Sequence, residues 1–452
     1  MSEILESKAK TINKKEFTKE VINDYKLLCL SREASLLGRK EVLTGKAKFG
    51  IFGDGKELAQ IAMAKFFNVG DFRSGYYRDQ TFMMAIKEYN IQQMFAGLYA
   101  HPDLEKEPTS AGRQMGGHFS TKFIDENGNW LDLSNRKNST SDISPTAAQM
   151  PRLIGLGLAS KLFRENEQLK NLKTLSNNGN EIAFGTIGDA STSEGVFWEC
   201  INAACVLEIP ILMSVWDDGY GISVPKKYQT TKESISKVLA GFEKENGTNG
   251  MKIFNCKGWD YTDLILTYKE AANYCRTHRI PVLVHVEEVT QPQGHSTSGS
   301  HERYKSKERL EWAKEYDCLN KFKEWILSEN NAICEPISTI EELEAIEKNA
   351  KLEVKSIAKT SWKDFMDDID KERQKIVFHI KTMSEESIKS KELLHLLNQL
   401  NKSTNAMRKE VYNIFRSALR IVRNENIKSR HNALKWFKEM MIKRRKRRSK
   451  AA

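Results

Sequence analysis

Two acidic turns follow two consecutive apolar segments of the sequence, at residues 188–195 and 216–223. Asp189 lies in the first turn, and Asp218 lies in the second, 29 residues further on. If the apolar segments are neighbouring parallel strands, both turns lie beyond the carboxyl ends of those strands, where ligands bind in such sheets. The sequence therefore predicts that Asp189 and Asp218 lie close together.

A diphosphate bridged by a metal ion would suit this pair of acids. The first turn leads into a predicted helix, whose free backbone N–H groups and dipole favour a phosphate. Two carboxylates would repel a diphosphate unless a cation lay between them, and Mg²⁺ typically takes oxygen ligands from one or two carboxylates and from phosphate. A single Asp at a strand end more often caps a helix or turn. The spacing and topology of this pair favour the magnesium site.

The elements that must position these acids alternate between strand and helix. Apolar runs predict strands at residues 181–188, 210–216, 252–256 and 281–289, accompanied by helices at 150–164, 193–208 and 261–278. Each strand run is continuously apolar, which is typical of parallel strands covered on both faces. We therefore expect an α/β fold with a doubly wound, mostly parallel sheet.

Three regions follow from the pattern along the chain. Residues 1–70 form a predicted N-terminal helical region, with helices at 17–41 and 56–67; residues 71–335 form the α/β domain; and residues 336–452 form a helical C-terminal extension with a basic tail. The stretch 70–150 is rich in Gly, Ser and Asn and has weak periodicity. A loop-like stretch of this length usually carries a functional site.

The composition excludes several classes of protein. Hydrophobic residues make up 40% and charged residues 29% of the 452 residues, as in an ordinary globular protein. The N-terminus lacks the apolar core of a signal peptide, and no apolar run is long enough to span a membrane, so we expect a cytosolic chain without membrane contact. The seven cysteines form no Cys-x-x-Cys pair. We expect all seven to be reduced and structural.

The net charge of +11 is unevenly distributed along the chain. Seven basic residues and no acid lie within residues 443–450. Such a terminal run is usually a solvated tail and less often a contact for RNA, membrane or a partner. The rest of the chain carries little net charge, so we expect no nucleic-acid partner.

A second Gly-Asp-Gly sequence occupies residues 53–55. It lies between two predicted helices and has no companion motif at the distance that separates Asp189 from Asp218. We interpret it as a turn near the substrate entrance and not as part of the diphosphate site.

The two acidic turns resemble the thiamine diphosphate motif of the 2-oxoacid dehydrogenases. That motif begins with a Gly-Asp-Gly type turn and continues, just under thirty residues later, with two asparagines and Gly-Tyr-x-Ile-Ser. Here residues 188–190 read Gly-Asp-Ala, and residues 217–223 read Asp-Asp-Gly-Tyr-Gly-Ile-Ser. The likeness extends over about residues 20–370 and is to the alpha subunit of the decarboxylating component, of the branched-chain 2-oxoacid or pyruvate type. The cofactors that it implies are thiamine diphosphate and Mg²⁺.

The resemblance also implies roles for individual residues. Asp189 and Asp218 would bind Mg²⁺ by their side chains, and Tyr220 by its backbone carbonyl. His295 and His118 are the implied catalytic residues; the first would face phosphate and substrate and help the acyl group pass to a lipoyl carrier. The implied contacts of the cofactor are Tyr77, Arg78, Ser144, Gly188, Asp189, Ala190, Ser191, Asp218, Tyr220, Ile222 and His295.

Further positions match segments of the family or depart from them. Residues 112–115, Gly-Arg-Gln-Met, match a family segment that precedes His118, and Ser296 occupies a position that is phosphorylated in some relatives. Asp218 replaces the usual Asn and adds a charge to the metal site. Trp216 stands where relatives carry a phosphate-contacting Arg, and Thr146 stands where a larger apolar residue often supports the cofactor.

The implied reaction is the decarboxylation of a 2-oxoacid, followed by transfer of the acyl group to a lipoyl acyltransferase. In this family the glutamate that activates the cofactor comes from a beta subunit or a beta half. About 120 residues follow residue 330, too few for a second α/β module of ordinary size. We therefore expect the chain to be half of an enzyme, a hetero-oligomer in which it assembles with a beta partner into a heterotetramer with the active site between the subunits.

Two other functions remain open on the sequence alone. One is a different thiamine diphosphate enzyme, such as a transketolase-like protein, against which the segments at residues 112–115 and 294–300 argue. The other is a non-enzymatic nucleotide- or RNA-binding α/β protein. The sequence contains no P-loop and no Gly-x-Gly-x-x-Gly motif, which disfavours the second.

Overall fold

The computed structural model describes residues 13–403 and 405–450, with the side chains up to Lys446. The chain divides into two compact units. The first contains the residues up to Met94 together with Met115–Lys355. The second contains Phe95–Gln114 and the residues from Ser356 onward. The division of the sequence at residues 70 and 335 stays a prediction.

The first unit is built on a six-stranded, wholly parallel sheet. In chain order the strands are β1 (Phe72–Ser74), β2 (Asn138–Ser139), β3 (Ala183–Gly188), β4 (Ile211–Trp216), β5 (Tyr220–Gly221), β6 (Val224–Pro225), β7 (Lys252–Lys257) and β8 (Val282–Glu287). The sheet has the order β2-β1-β3-β4-β8-β7, and β5 and β6 form a separate antiparallel pair. The four predicted strands are thus confirmed as neighbours in one parallel sheet.

Fourteen α-helices are formed in the described part of the chain. They are α1 (Lys14–Leu43), α2 (Glu57–Ala64), α3 (Gln80–Ala85), α4 (Ile91–Leu98), α5 (Gln149–Glu165), α6 (Gly195–Leu207), α7 (Ile235–Val238), α8 (Tyr261–His278), α9 (Lys307–Glu315), α10 (Cys318–Leu327), α11 (Ile340–Glu386), α12 (Ser390–Lys402), α13 (Arg408–Ile421) and α14 (Lys428–Lys450). Helix α8 has the bounds that the sequence predicts. The helical C-terminal region is likewise confirmed.

Helices cover both faces of the sheet, which explains why its strands are apolar throughout. Met213 and Val215 of β4 belong to a core cluster that also contains Leu153 of α5 and Phe197 of α6. Ser214, between them, points to the opposite face, where its hydroxyl accepts a hydrogen bond from Tyr268 of α8 over 2.9 Å. Side chains alternate between faces along a strand, so both faces of β4 are buried. The doubly wound α/β fold is confirmed.

The predicted helix at residues 193–208 begins two residues later than expected. Residues Asp189–Ser193 form a 3₁₀ turn, in which the Thr192 hydroxyl donates to the carbonyl of Asp189 over 2.6 Å. Glu194 then adopts an extended conformation before α6 starts at Gly195. Ser193 therefore belongs to the turn that carries Asp189, and Glu194 is the N-cap residue of α6, without a side-chain hydrogen bond to the helix.

The second unit contains the segment 95–114 and helices α12, α13 and α14. The carboxylate of Glu107, which is 1% exposed, accepts backbone N–H groups of Thr109, Ser110 and Gly112 over 2.8–3.0 Å. Gly112 has a positive φ of 68°, and a Cβ there would lie 2.5 Å from the carbonyl oxygen of Ala100. This position in the Gly-Arg-Gln-Met segment therefore requires glycine.

Two further expectations concern the whole chain. Among the described residues, no helix is long and apolar enough to cross a membrane. All seven cysteines, each within the described part, are free thiols; six are buried, and Cys334 is exposed. Six of the seven are thus buried as structural residues would be, whereas Cys334 is not a core residue. The whole basic run at residues 443–450 is helical, as part of α14.

Candidate active site at the carboxyl edge of the sheet

The turns that carry Asp189 and Asp218 lie side by side. Gly188, the last residue of β3, is the register partner of Trp216, the last residue of β4. The loops stay close beyond the strands, because a Cβ built on Gly221 would lie 2.8 Å from Cβ of Ala190. The topology thus brings the two acids to the same edge of the sheet.

Asp189 is buried and incompletely paired. Its side chain is 6% exposed, and Oδ2 has no hydrogen-bond partner among the described residues. Burial raises the pKa of this carboxyl well above its usual range, and the negative charges of Asp218 and Asp217 raise it further. A buried carboxylate oxygen without a partner costs stability unless a cation satisfies it. The site therefore fits a metal ion that binds oxygen ligands.

Asp218 already has partners for both of its carboxylate oxygens. Oδ1 accepts the backbone N–H of Tyr220 over 3.1 Å, and Oδ2 accepts the ammonium of Lys56 over 3.1 Å. The Asp218 carbonyl accepts a hydrogen bond from Arg309 over 2.9 Å. A carboxylate offers about four acceptor positions, so these contacts leave room for a metal. Asp218, which stands where the family motif has asparagine, is thus held beside a lysine.

Lys56 is a site residue that the sequence interpretation missed. It is 1% exposed, and its ammonium also donates to the carbonyl of Thr290 over 3.3 Å and to Oε1 of Gln291 over 3.1 Å. It follows the Gly-Asp-Gly sequence at residues 53–55, where Gly55 has a φ of +85°. That sequence is a turn, as predicted. Its structural consequence is to direct Lys56 to Asp218.

Asp217 is held by a separate buried network. Its Oδ2 accepts Lys226 over 2.9 Å and lies 3.1 Å from Nε2 of His285. Nδ1 of His285 lies 2.9 Å from the hydroxyl of Ser236. Burial alone would raise the pKa of Asp217, but the hydrogen bond from His285 and the charge of Lys226 hold it below its usual value. This network fixes the turn in which Asp218 is the next residue.

Arg78 and His295, two of the residues assigned to the cofactor site, are in direct contact. Nη2 of Arg78 lies 3.0 Å from Nδ1 of His295 and donates to the His295 carbonyl over 3.0 Å, while Nη1 donates to the carbonyl of Phe52 over 2.6 Å. Because a guanidinium only donates, Nδ1 must be the acceptor, and the ring proton lies on Nε2. Burial, and then the charge of Arg78, lower the pKa of His295 to about 4. The imidazole is therefore neutral at pH 7.

His118 and Ser144 form a second contact pair among the assigned residues. Nε2 of His118 lies 2.8 Å from the Ser144 hydroxyl, and Nδ1 lies 2.9 Å from the carbonyl of Met115. A carbonyl accepts only, so Nδ1 carries a proton, and in the neutral ring Nε2 accepts from Ser144. His118 is buried, whereas Ser144 is exposed. The histidine thus orients a serine at the surface.

The other assigned residues lie next to Arg78 or within the two acidic turns. The Tyr77 ring lies 5.3 Å from the guanidinium carbon of Arg78, and Tyr220 lies under the ammonium of Lys305 at 5.0 Å. Ile222, with a φ of +60°, is 61% exposed. Ser191 is half-buried and belongs to the 3₁₀ turn after Asp189. No described contact joins Ile222 to the carboxylates.

Further cations surround Asp218 beyond those predicted. Burial lowers the pKa of Lys305 to about 8, opposed by the charge of Asp218. Arg309 stacks on Trp312, its guanidinium carbon 4.0 Å from the ring centroid. A cavity of about 390 Å³ opens beside them and is lined in part by Asp218, Tyr220 and Arg309. Its lining also includes two lysines and four carboxylates, and the guanidinium of Arg309 is the lining group best suited to phosphate oxygens.

Two departures from the family motif have structural outcomes. Trp216 is completely buried, and its Nε1 has no partner in the described part of the chain. It supplies no positive group, whereas Arg309 and Lys305 do so from the segment after residue 300. Thr146 is exposed. Ser296 is 8% exposed and its hydroxyl lies 2.7 Å from that of Ser298, so the residue at the phosphorylation position is buried within its loop.

Comparisons with known proteins agree with this site. A family model described as the dehydrogenase E1 component matches residues 26–369. The chain is 27% identical over 305 residues to the 2-oxoisovalerate dehydrogenase subunit alpha of Bacillus subtilis (strain 168), covering 66% of this chain and 79% of that protein. It is 26% identical over 344 residues to the pyruvate dehydrogenase E1 component subunit alpha of Rickettsia prowazekii (strain Madrid E), covering 75% of this chain and 89% of that protein.

A human relative is more distant. The mitochondrial 2-oxoisovalerate dehydrogenase subunit alpha of Homo sapiens is 24% identical over 313 residues, covering 69% of this chain and 61% of that protein. These relatives differ in the 2-oxoacid that their names give, and all three are alpha subunits. Because the family model spans more than half of the sequence, the chain belongs to the dehydrogenase E1 component family, with alpha-subunit relatives.

Proposed function

We propose that this chain is the alpha half of a thiamine diphosphate-dependent enzyme that oxidatively decarboxylates a 2-oxoacid. The observation that carries the proposal is the buried, unpartnered Oδ2 of Asp189 beside Asp218, at the carboxyl edge of a parallel sheet. Asp189, Asp218 and the Tyr220 carbonyl would hold Mg²⁺, which prefers oxygen ligands of this kind. Family membership favours this function over a transketolase-like or nucleic-acid-binding one.

The cationic residues would position the diphosphate. Arg78 is 4% exposed and has both of its Nη atoms fixed by neighbouring groups, so its orientation is set before a ligand binds. Lys305 and Arg309 lie next to the ring of Tyr220, in the second acidic turn. Preorganised charges of this kind cost little reorganisation when an anion binds. Ala190, Ser191 and Gly188 would supply the backbone around it.

The histidines would serve the substrate. His295 is neutral and carries its proton on Nε2, which makes that atom a hydrogen-bond donor toward an oxyanion or a carbonyl. His118 orients the Ser144 hydroxyl, in the segment that the family resemblance places against the aminopyrimidine ring. When bound, thiamine diphosphate supplies the carbanion chemistry and the electron sink. The chain itself supplies orientation, charge and proton positions.

The proposal also includes a specific substrate and specific partner proteins. We favour 3-methyl-2-oxobutanoate, also called 2-oxoisovalerate, because the relatives from Bacillus subtilis and Homo sapiens carry that name. A pyruvate-type relative of similar identity makes pyruvate the second candidate. A beta subunit would contribute the activating glutamate, and a lipoyl acyltransferase would accept the acyl group.

The experiment reconstitutes the chain with its beta partner and measures decarboxylation of pyruvate, 2-oxoglutarate and branched-chain 2-oxoacids. We expect activity only in the reconstituted assembly, with the highest kcat/KM for a branched-chain acid. Asp189→Ala in the same assembly is the matched control and should abolish turnover. Robust decarboxylation by the isolated chain would contradict the assignment as an alpha half.

A further inference from the structure

Lys56 and Asp218 form a buried ion pair inside the proposed metal site. Lys56 is 1% exposed and Asp218 is 9% exposed, and their charged atoms lie 3.1 Å apart. Three oxygens, from Asp218, Thr290 and Gln291, surround the ammonium and match its three N–H groups. Three acceptors therefore fix the position of the Lys56 side chain.

We propose that Lys56 is a positioning residue that neutralises Asp218, so that the pair offers the metal a ligand oxygen without adding net charge to the site. An asparagine would offer a neutral oxygen in the same place. Asp218 alone would add a second negative charge beside Asp189, where a diphosphate must also bind, and like charges repel strongly at low dielectric. This inference rests on the proposed function, since it concerns the metal site of that cofactor.

The neighbouring residue shows the same arrangement. Asp217 also stands where the family motif has asparagine, and it pairs with its own lysine, Lys226, over 2.9 Å. Each acid of the tandem thus has one lysine, and the two lysines come from different segments of the chain. Each carboxylate that replaces an amide of the motif is thus paired with its own lysine. This pattern is expected if the substitutions leave the net charge around the turn unchanged.

The geometry also leaves the ligand function of Asp218 intact. Oδ2 accepts Lys56, and Oδ1 accepts the N–H of Tyr220, so each oxygen retains acceptor capacity. Asp189, by contrast, has Oδ2 without a partner among the described residues. The lysine therefore does not replace the metal ion. It is a hydrogen-bond partner of Asp218 only, and Oδ2 of Asp189 still lacks a partner.

A double-mutant cycle tests the pair. Lys56→Gln removes the charge and keeps hydrogen-bond donors, and Asp218→Asn restores the neutral ligand. The first readout is the Mg²⁺ concentration that half-saturates thiamine diphosphate binding, measured by calorimetry on the assembly with the beta partner. We expect at least a tenfold decrease in K56Q, at least a tenfold increase in D218N, and a value within about threefold of the wild type in the double variant.

The second readout needs neither metal nor cofactor. In a chelator, each single variant leaves a buried charge without its partner and should lower the denaturant midpoint, whereas the double variant should recover most of the loss. Lys65→Gln is the matched control, because Lys65 pairs with Glu20 and Asp24. It should leave the Mg²⁺ dependence unchanged.

The outcomes separate the inference from the proposed function. Single variants that leave the half-saturating Mg²⁺ concentration within about threefold of the wild type, or losses of stability that simply add in the double variant, would overturn the inference alone, provided that wild-type binding remains metal-dependent. Failure of the wild-type assembly to bind thiamine diphosphate would overturn the proposed function. Recovery in both readouts supports the role of Lys56 as a positioning residue.

Discussion

Arg78 donates to His295 through Nη2, which lies 3.0 Å from both Nδ1 and the carbonyl oxygen of that histidine. The two residues are 217 positions apart in the sequence, so only the fold brings them together. The contact fixes the tautomer of the ring and keeps a cation beside a neutral imidazole. In the proposed enzyme, it joins the group that would grip phosphate to the group that would face substrate.

His295 should make the stability of the chain depend on pH in a defined window. Its pKa is about 4 in the folded chain, against an ordinary value of 6.5. Between these values the unfolded chain binds a proton that the folded chain does not, so the free energy of unfolding falls as the pH is lowered from about 6.5 to about 4. His295→Asn removes this contribution. We expect the stability advantage of the wild type over H295N to shrink across that window in urea titrations, and a constant difference would contradict the assignment.

Replacing Arg78 with Lys should weaken cofactor binding although the charge is kept. Lysine cannot donate to Phe52 and His295 at once with the planar geometry of the guanidinium. Loss of a charged hydrogen bond of about 1.5–3 kcal/mol corresponds to about a 10–150-fold increase in the KM for thiamine diphosphate. Arg276→Lys, at an Arg that pairs with Asp71, is the control and should leave that KM unchanged. An unaltered KM in R78K would show that the guanidinium geometry is unimportant.

Gly55 should tolerate alanine far less well than Gly45. Both have nearly the same positive φ, +85° and +86°, so both substitutions incur about 1 kcal/mol of backbone strain. A Cβ at Gly55 would also lie 2.1 Å from the carbonyl oxygen of Thr290, whereas a Cβ at Gly45 would meet nothing within 4 Å. We expect G55A to lower the free energy of unfolding by about 3 kcal/mol or more. Equal losses in the two variants would mean that the turn does not hold Lys56 against its neighbours.

The sequence predicts those parts of the site that depend on local pattern. The apolar runs of β3 and β4 and the acids that follow them are contiguous in the chain, and parallel topology then requires Asp189 and Asp218 to be neighbours. Strands β1 and β2 were missed because three and two residues carry no measurable periodicity. The predicted start of α6 is two residues early because Ser193 has a type found at helix caps but belongs to a 3₁₀ turn, whereas Glu194 is the N-cap residue.

The sequence does not reveal contacts between distant segments. Lys56 is 162 positions from Asp218, and a lone lysine after a turn has no signature that distinguishes it from a solvated one. The one hint in the sequence is that two acids stand where the motif has amides. Their negative charges have to be balanced by cations from another segment of the chain. Lys305 and Arg309 are similar, since their approach to Tyr220 depends on the path of the segment after residue 300.

The central claim is that Asp189 and Asp218 hold the diphosphate through a metal ion. The most direct test is calorimetry of thiamine diphosphate binding to the assembly of this chain with its beta partner, in Mg²⁺ and in a chelator, for the wild type and Asp189→Ala. We expect binding by the wild type only with the metal, and affinity at least about 100-fold weaker in D189A. Equal binding in the chelator, or full affinity in D189A, would contradict the claim.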